Sequence, residues 1–534
     1  MVPKILEGEK VNTVPNVSLG QFIFDSATKF GEKACQIDSH TNTPESFLSV
    51  KQRSVRVAME MQKRGITSQD TLVFCSKVTL DTPIPIIASF FLGAKIANLD
   101  PTLSTRQTSH LLSIISPKMI FVSEAALNLI EESLESANLK TAIVVYDNST
   151  KYPTFSEFVK RKANEENFKP VDITNLDETI VMFFSSGTTG LPKAICHSHS
   201  SFLHLVYNFY ETNGKGCFEV ILSFTTFYWL SGMLYLTCTF VEGGHRVICR
   251  DVEDEQLFQL IEKYKVTFIF VAPILTYRFT NCPNFNKYDT SSLRSLVISG
   301  TPISTIQLDK VRSVFKHTNV ILAYGQTEIG YVSMYNTDTD SKFIQNKYIS
   351  CGKVVKGVTL KVVDVETNEI LGPNKKGEIY AKTKSLMKGY YNSDNKNIFE
   401  EDGFLRTGDI GYYDEDECLY YVERIKEMFK YLSWHIVPSA IELVLMEHPA
   451  IKEVVVFGFP RSEEEGEVPT ACVVLKDGPT ASGKEIEDFV ASRVSDKEKL
   501  RGGVYFMNEL PRTPSGKLKR KEIRDYIIKE LKKN

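Results

Sequence analysis

Short apolar runs rich in Val, Ile and Phe recur between helix-length segments: Leu72 to Cys75, Met119 to Val122, Ala142 to Val145, Val220 to Phe224, Thr267 to Val271 and Ser295 to Ile298. Runs of this length, spaced by helical stretches, predict βα units and parallel sheets covered on both faces. The segment Tyr146 to Glu178 is polar and broken by Pro153 and Pro170, so it is expected to wrap the surface. After Tyr348 the texture changes. Short alternating stretches with turns, Gly357 to Val363, Gly377 to Ala381 and Gly389 to Tyr391, predict a small β-rich subdomain. From about Arg424 the chain reads as a short mixed unit, with a helix over Pro438 to Glu447 and strands over Glu453 to Phe459 and Ala471 to Leu475.

At 534 residues the chain exceeds one ordinary core, so several packed domains are expected. The formal net charge of −3 argues against a broad surface for nucleic acid or another polyanion. The basic stretch Lys517 to Lys533 reads by composition as a solvated helix face. Ten cysteines are scattered from Cys35 to Cys472 without a C-x-x-C pair, and a charged, apolar leader of the secretory kind is not evident. Reduced thiols and an intracellular setting are therefore expected. The longest apolar runs, such as Val266 to Leu275, fall far below the roughly 18 residues of a membrane span. His197, His199 and His204 cluster in sequence, but no Cys or carboxylate partner lies at ligand spacing, which weighs against a metal site.

The most telling string is Ser185-Ser186-Gly187-Thr188-Thr189-Gly190-Leu191-Pro192-Lys193, directly after the apolar run Thr179 to Phe184. A strand would deliver this loop to a sheet edge. Gly187 and Gly190 would let backbone N–H groups face an anion, Ser185, Ser186, Thr188 and Thr189 would add hydroxyl donors, and Lys193 would add charge. The spacing is not that of a Walker loop, because Leu191 and Pro192 separate Gly190 from Lys193. Composition alone leaves a surface turn and a phosphate cradle both open.

The complete string resembles the phosphate-binding signature of the acyl-adenylate-forming superfamily of acyl-CoA synthetases, 4-coumarate-CoA ligases, beetle luciferases and peptide-synthetase adenylation domains. Four further strings share the resemblance: Tyr324-Gly325-Gln326-Thr327-Glu328, Arg406-Thr407-Gly408-Asp409, Glu423-Arg424-Ile425-Lys426 and Arg512-Thr513-Pro514-Ser515-Gly516-Lys517-Leu518. With the first they span roughly Phe22 to Ile527. Their order and spacing are most similar to insect luciferase-like fatty acyl-CoA synthetases, and Asp409 to Asp416 is an especially specific stretch. The resemblance implies an α/β fold: a large N-terminal AMP-binding domain over 1–422, with its β-rich subdomain at about 349–422, and a small mobile α+β lid over 423–534 hinged at Glu423.

The chemistry calls for such residues. A carboxylate attacks the α-phosphorus of ATP, so two anions meet and charge must be neutralised as pyrophosphate leaves. The resemblance implies that Ser185, Ser186, Gly187, Thr188, Thr189, Gly190 and Lys193 hold the β- and γ-phosphates, Thr327 the α-phosphate, and Glu328 a Mg²⁺ ion. Asp409 would accept both ribose hydroxyls, with Arg424 on the same side. Gly300, Thr301 and Pro302 resemble the loop packed on adenine, flanked by Tyr324, Gly325 and Gln326; for Tyr324, adenine stacking and core packing both remain open. Lys517 would bridge the α-phosphate and the attacking carboxylate. After adenylation the lid would turn about Glu423, exchange Lys517 for the face carrying Lys430, and admit coenzyme A.

Glu423 stands where the family hinge is normally an aspartate or lysine, and two further positions depart from the family pattern. Leu432-Ser433-Trp434 follows Lys430-Tyr431 where the family places a glycine lining the pantetheine tunnel, which puts the thioester step in question more than adenylation. Trp229, near Gly232, stands where luciferases and many acyl-CoA synthetases carry a histidine at the acyl pocket. It reads equally as a pocket wall, closing the tunnel or stacking on a flat acid, and as a core aromatic. The leading expectation is an ATP-, Mg²⁺- and coenzyme A-dependent ligase for a medium- or long-chain fatty acid. A luciferase-like monooxygenase and a non-catalytic binder of acyl groups or nucleotide are the alternatives. The chain ends Lys532-Lys533-Asn534 where peroxisomal relatives often end Ser-Lys-Leu, so the cytosol is the expected compartment, with the peroxisome admitted by family analogy alone.

Overall fold

The computed structural model describes residues 4–184, 192–250, 254–393, 395, 398–432, 434–462, 465–513 and 517–531. Two large sheets organise the N-terminal part. In the first, the strands run in the order Gly389–Tyr390, Ala194–Ser198, Thr179–Phe184, Lys95–Leu99, Thr71–Cys75, Met119–Val122 and Ala142–Val145. The last five are mutually parallel, as the uninterrupted apolar runs predict for strands covered on both faces. The second sheet has the order Asn319–Leu322, Ser295–Ile298, Phe268–Val271, Val220–Ser223, His245–Ile248, Ala34–Asp38 and Thr43–Ser46, parallel except for its final hairpin. Helices pack between the sheets, and their apolar faces merge with Phe183, Ile195, Phe202 and Phe268 into one core.

The polar segment after Tyr146 does cross the outer face, but it is anchored. Phe155 and Phe158 are buried, and Phe168 packs on Phe24 and Phe91. Among the described residues, no helix is long and apolar enough to cross a membrane.

The β-rich part is an antiparallel sheet of Leu6–Glu7, Val358–Val363, Gly377–Thr383, Leu405–Tyr413 and Leu419–Arg424. One expectation needs correction. The stretch at Gly389 does not join this sheet: Gly389 and Tyr390 pair antiparallel with Cys196 and Ile195 at the edge of the first sheet. Alternation and a glycine turn mark a strand without naming its partner. The edge groups of Ala194–Ser198 supply that partner, and hydrogen bonds from Lys388 N to Cys196 O and from Tyr391 N to Ala194 O, 2.7 and 2.8 Å, extend the pairing on both sides.

From Phe429 onward the chain forms a separate sheet dominated by the antiparallel pair Ile451–Ser462 and Gly466–Leu475, with Val504–Phe506 joining it in parallel. The helices Pro438–Leu445, Gly483–Ala491 and Arg520–Leu531 cover it around cores of its own. The expected helix at Pro438 and strands at Glu453 and Ala471 are all present. The two strands simply run longer than their apolar stretches.

Candidate active site

Asp409 lies on Leu405–Tyr413, 2 % exposed, at the meeting point of three segments. Tyr324 Oη and Gln326 Nε2 donate to its Oδ2 at 2.8 and 2.6 Å. Gln326 Nε2 also donates to Thr407 O at 2.8 Å. Arg424 is its register partner on the next strand, with Nε 3.4 Å from Oδ1. That distance makes an ion pair without a hydrogen bond, and Oδ1 is buried with no hydrogen-bond partner. Burial raises the pKa of the carboxyl, while Arg424, Gln326 and Tyr324 pull it back. A buried carboxylate oxygen without a donor is what a diol ligand would satisfy.

Tyr324 is therefore tied to the acid by its hydroxyl and buried beside Tyr421, with ring centroids 5.9 Å apart. Ala323 N donates to Ile298 O at 3.0 Å, which sets Tyr324 next to the turn following Ser295–Ile298. There Gly300, Thr301 and Pro302 are exposed, and Gly300 holds φ +103°, a conformation that favours glycine. Gly325 lies on the short strand Tyr324–Gln326, where a Cβ would come within 2.3 Å of Gly330 O.

Thr327 and Glu328 occupy the turn after this strand. Tyr390 Oη donates to Glu328 Oε1 at 3.2 Å, and Met387 N donates to Glu328 O at 2.8 Å. Burial first and the Glu328 carboxylate second keep the Tyr390 phenol protonated, with its pKa well above the ordinary value. Lys193 Nζ lies 5.0 Å from the Tyr390 ring centroid, so the lysine that ends the glycine-rich string stands beside the Glu328 turn. Ser185, Ser186, Gly187, Thr188, Thr189 and Gly190 lie outside the described residues.

Lys517 reaches this site from the C-terminal sheet. Thr513 N donates to Lys517 O at 2.8 Å and Lys517 N to Thr513 Oγ1 at 3.2 Å, which ties the lysine backbone to Thr513; Pro514, Ser515 and Gly516 lie outside the described residues. Burial pushes the ammonium pKa down to about 8, reinforced by Arg424, while Asp409, Glu427 and Glu328 act in the opposite sense. The same ammonium thus feels the charges of both Asp409 and Glu328. Lys430, in contrast, is exposed on Phe429–Tyr431. Of the tip that follows, Leu432 has φ +47° and Trp434 is 62 % exposed, while Ser433 lies outside the described residues.

Glu423 is 3 % exposed. Its Oε1 accepts from Arg424 N and its Oε2 from Ser439 N, both at 3.0 Å. Ser439 is in the first turn of Pro438–Leu445, so the carboxylate caps this helix from outside it. Burial raises its pKa, against the pull of Arg520 and the Arg424 N–H. Arg520 pairs with Glu442 on the same helix and, at 3.2 Å, with Glu427, tying the lysine loop's exit to this junction.

On the other side, Trp229 precedes the helix Leu230–Glu242 and is partly buried, its ring edge-on to Tyr228 at 4.7 Å. Gly232 is required by packing, since a Cβ there would lie 2.3 Å from Thr226 O.

The sequence pointed to neither Tyr390 nor Ser439 as site residues. Tyr390 carried a signal only as part of an apparent strand, and Ser439 contributes a backbone N–H, which no side-chain motif reveals. The histidines at 197 and 199 do not converge. His199 Nδ1 accepts from Leu19 N at 3.1 Å, whereas His197 Nε2 lies 2.8 Å from Thr327 O.

The AMP-binding enzyme family model matches residues 23–391, and the AMP-binding enzyme C-terminal domain matches 440–517. The chain belongs to this family of adenylate-forming enzymes. It is 31% identical to luciferin 4-monooxygenase of Photuris pensylvanica over 98% of each chain, and 28% identical to 4-coumarate–CoA ligase 1 of Petroselinum crispum over 96% of this chain and 94% of the relative. Among solved structures, the luciferase-like enzyme of the nonluminescent mealworm Zophobas morio is 49% identical, with a TM-score of 0.77 over 80% of this chain and 100% of that one. ATP-bound MatB of Rhodopseudomonas palustris, at 20% identity, shares the fold with a TM-score of 0.85 over 95% of this chain and 99% of that one.

Proposed function

We propose that this protein is an acid–CoA ligase that activates a medium- or long-chain fatty acid through an acyl-adenylate. The observation that carries the reading is a buried Asp409 oxygen that lacks a donor, in a site where the Lys517 ammonium feels the charges of Asp409 and Glu328. The ribose hydroxyls would donate to Asp409, with Arg424 balancing its charge. Thr327 would meet the α-phosphate, and Ser185 to Lys193 the β- and γ-phosphates. Glu328 suits a hard cation shared with phosphate oxygens, because carboxylate oxygens are hard ligands and the Tyr390 hydroxyl holds this one in place. Bound there, Mg²⁺ would neutralise phosphate charge.

In the first step a carboxylate oxygen of the acid bonds to the α-phosphorus as the bond to pyrophosphate breaks. Protonated Lys517 holds both anions and offsets the charge that grows between them. Glu423 then serves as the hinge between a domain over 1–422 and a lid over 423–534. Releasing its bond to Ser439 N would let Lys517 withdraw and bring Lys430 round. In the second step the coenzyme A thiolate attacks the acyl carbonyl and AMP departs.

The 4-coumarate–CoA ligase relatives support transfer to coenzyme A, and the apolar Trp229 and Tyr228 support a hydrophobic acid. Mass spectrometry of products formed from ATP, coenzyme A and a panel of fatty and aromatic acids tests this, an acyl-CoA from fatty acids being the expected result. A second reading, adenylation followed by monooxygenation, draws on the luciferin 4-monooxygenase relatives. Trp229 at the place of the luciferase pocket histidine weighs against it, and oxygen uptake with light emission from luciferin would favour it.

A further inference from the structure

His197 is fully buried on Ala194–Ser198, with its ring edge-on to Phe183 and Phe202 at 5.9 and 6.5 Å. Its Nε2 stands 2.8 Å from Thr327 O. A carbonyl oxygen can only accept, so Nε2 must carry the proton. Nδ1 is then an acceptor, 3.4 Å from Ser201 Oγ. Burial pushes the imidazole pKa down to about 4, so this donor is neutral at physiological pH.

The bond falls on the one peptide group that joins Thr327 to Glu328. The next carbonyl, Glu328 O, accepts from Met387 N, and the Glu328 side chain accepts from Tyr390 Oη. Ile329 N closes the turn onto Gln326 O at 3.2 Å. With these contacts alone the Thr327–Glu328 peptide plane could still rotate, carrying the Thr327 hydroxyl and the Glu328 carboxylate out of alignment. The histidine contact removes that freedom. A buried side chain of this polarity in an otherwise apolar setting needs a specific partner, and this carbonyl is it.

We propose that His197 is a positioning residue: its Nε2–H, donated to Thr327 O, sets the Thr327–Glu328 turn for metal-bound ATP. The inference rests on the reading of that turn given above. Because the ring acts through the Thr327–Glu328 peptide group, its effect should appear in ATP binding that depends on Mg²⁺ rather than in every property of the protein.

The test compares wild type, His197→Leu, which fills the space without a donor, and His197→Gln, which returns an N–H donor near the position of Nε2. ATP binding is measured by calorimetry with Mg²⁺ and with EDTA, beside the melting temperature of each variant. Affinity for Mg²⁺-ATP should fall about tenfold in His197→Leu and recover in His197→Gln, while affinity for metal-free ATP changes much less. Equal Mg²⁺-ATP affinity in wild type and His197→Leu would overturn the proposal. So would losses with and without metal that follow the melting temperature in both variants, since that pattern marks a packing role only. A slowly exchanging histidine ring N–H in the free protein, lost in His197→Leu, checks the contact without ATP. Wild type that binds no ATP while keeping this resonance would sink the nucleotide reading instead, and with it any role for the contact beyond structure.

Discussion

Asp409 and Arg424 face each other in register on adjacent strands, and the strand that carries Arg424 also carries Glu423 one residue earlier. The acid suited to a ribose and the junction with the C-terminal sheet are thus one strand apart. Asp409→Asn keeps the shape of the side chain but removes the charge that Arg424, Tyr324 and Gln326 converge on. Charge-assisted hydrogen bonds are worth about 1.5–3 kcal/mol, so KM for ATP should rise by roughly ten- to a hundredfold. Initial rates at varied ATP check this.

In the proposed adenylation step Lys517 must be protonated to hold two anions, and its pKa is pushed down to about 8. The protonated fraction in the free enzyme is high below that value and falls above it. The expected profile of kcat/KM for ATP therefore has an alkaline limb, with activity lost as pH rises through about 8. Lys517→Arg, whose guanidinium stays charged, should lower the plateau and abolish this limb, as rates from pH 6 to 10 would reveal.

Removing the cap that Glu423 gives to Ser439 N should loosen the start of Pro438–Leu445. Loss of a helix cap costs on the order of 1 kcal/mol. Glu423→Ala is expected to raise amide hydrogen exchange in that helix about fivefold, with little change in the two large sheets. Peptide-resolved exchange mass spectrometry reads this directly.

Trp229 packs on Tyr228 at the entrance to Leu230–Glu242. If the indole bounds the acid site, Trp229→Ala should shift kcat/KM toward bulkier or longer acids, by about tenfold for each additional methylene newly accommodated. A uniform drop across an acid series would assign the side chain to the core.

Much of this architecture was legible in the chain because buried parallel strands are short apolar runs, and those from Leu72 to Ile298 are strands at nearly the expected bounds. Gly389-Tyr390 joins the first large sheet instead of the β-rich one, because alternation fixes a strand's faces but not its neighbour. The site followed the same division. Asp409, Glu328 and Lys517 sit in strings whose residue types the chemistry requires, whereas Tyr390 meets Glu328 across 62 residues of chain. His197 was visible only as one of three nearby histidines. Its contact with Thr327 spans 130 residues and depends on where one carbonyl points, which no local pattern encodes.

The most direct test of the central claim is pyrophosphate release by the purified protein with ATP, Mg²⁺ and a panel of fatty acids, with and without coenzyme A, beside Lys517→Ala. The account predicts release that requires an acid, accelerates with coenzyme A, and falls about a hundredfold or more in the variant. Acid-independent release, or equal rates in wild type and Lys517→Ala, would contradict it.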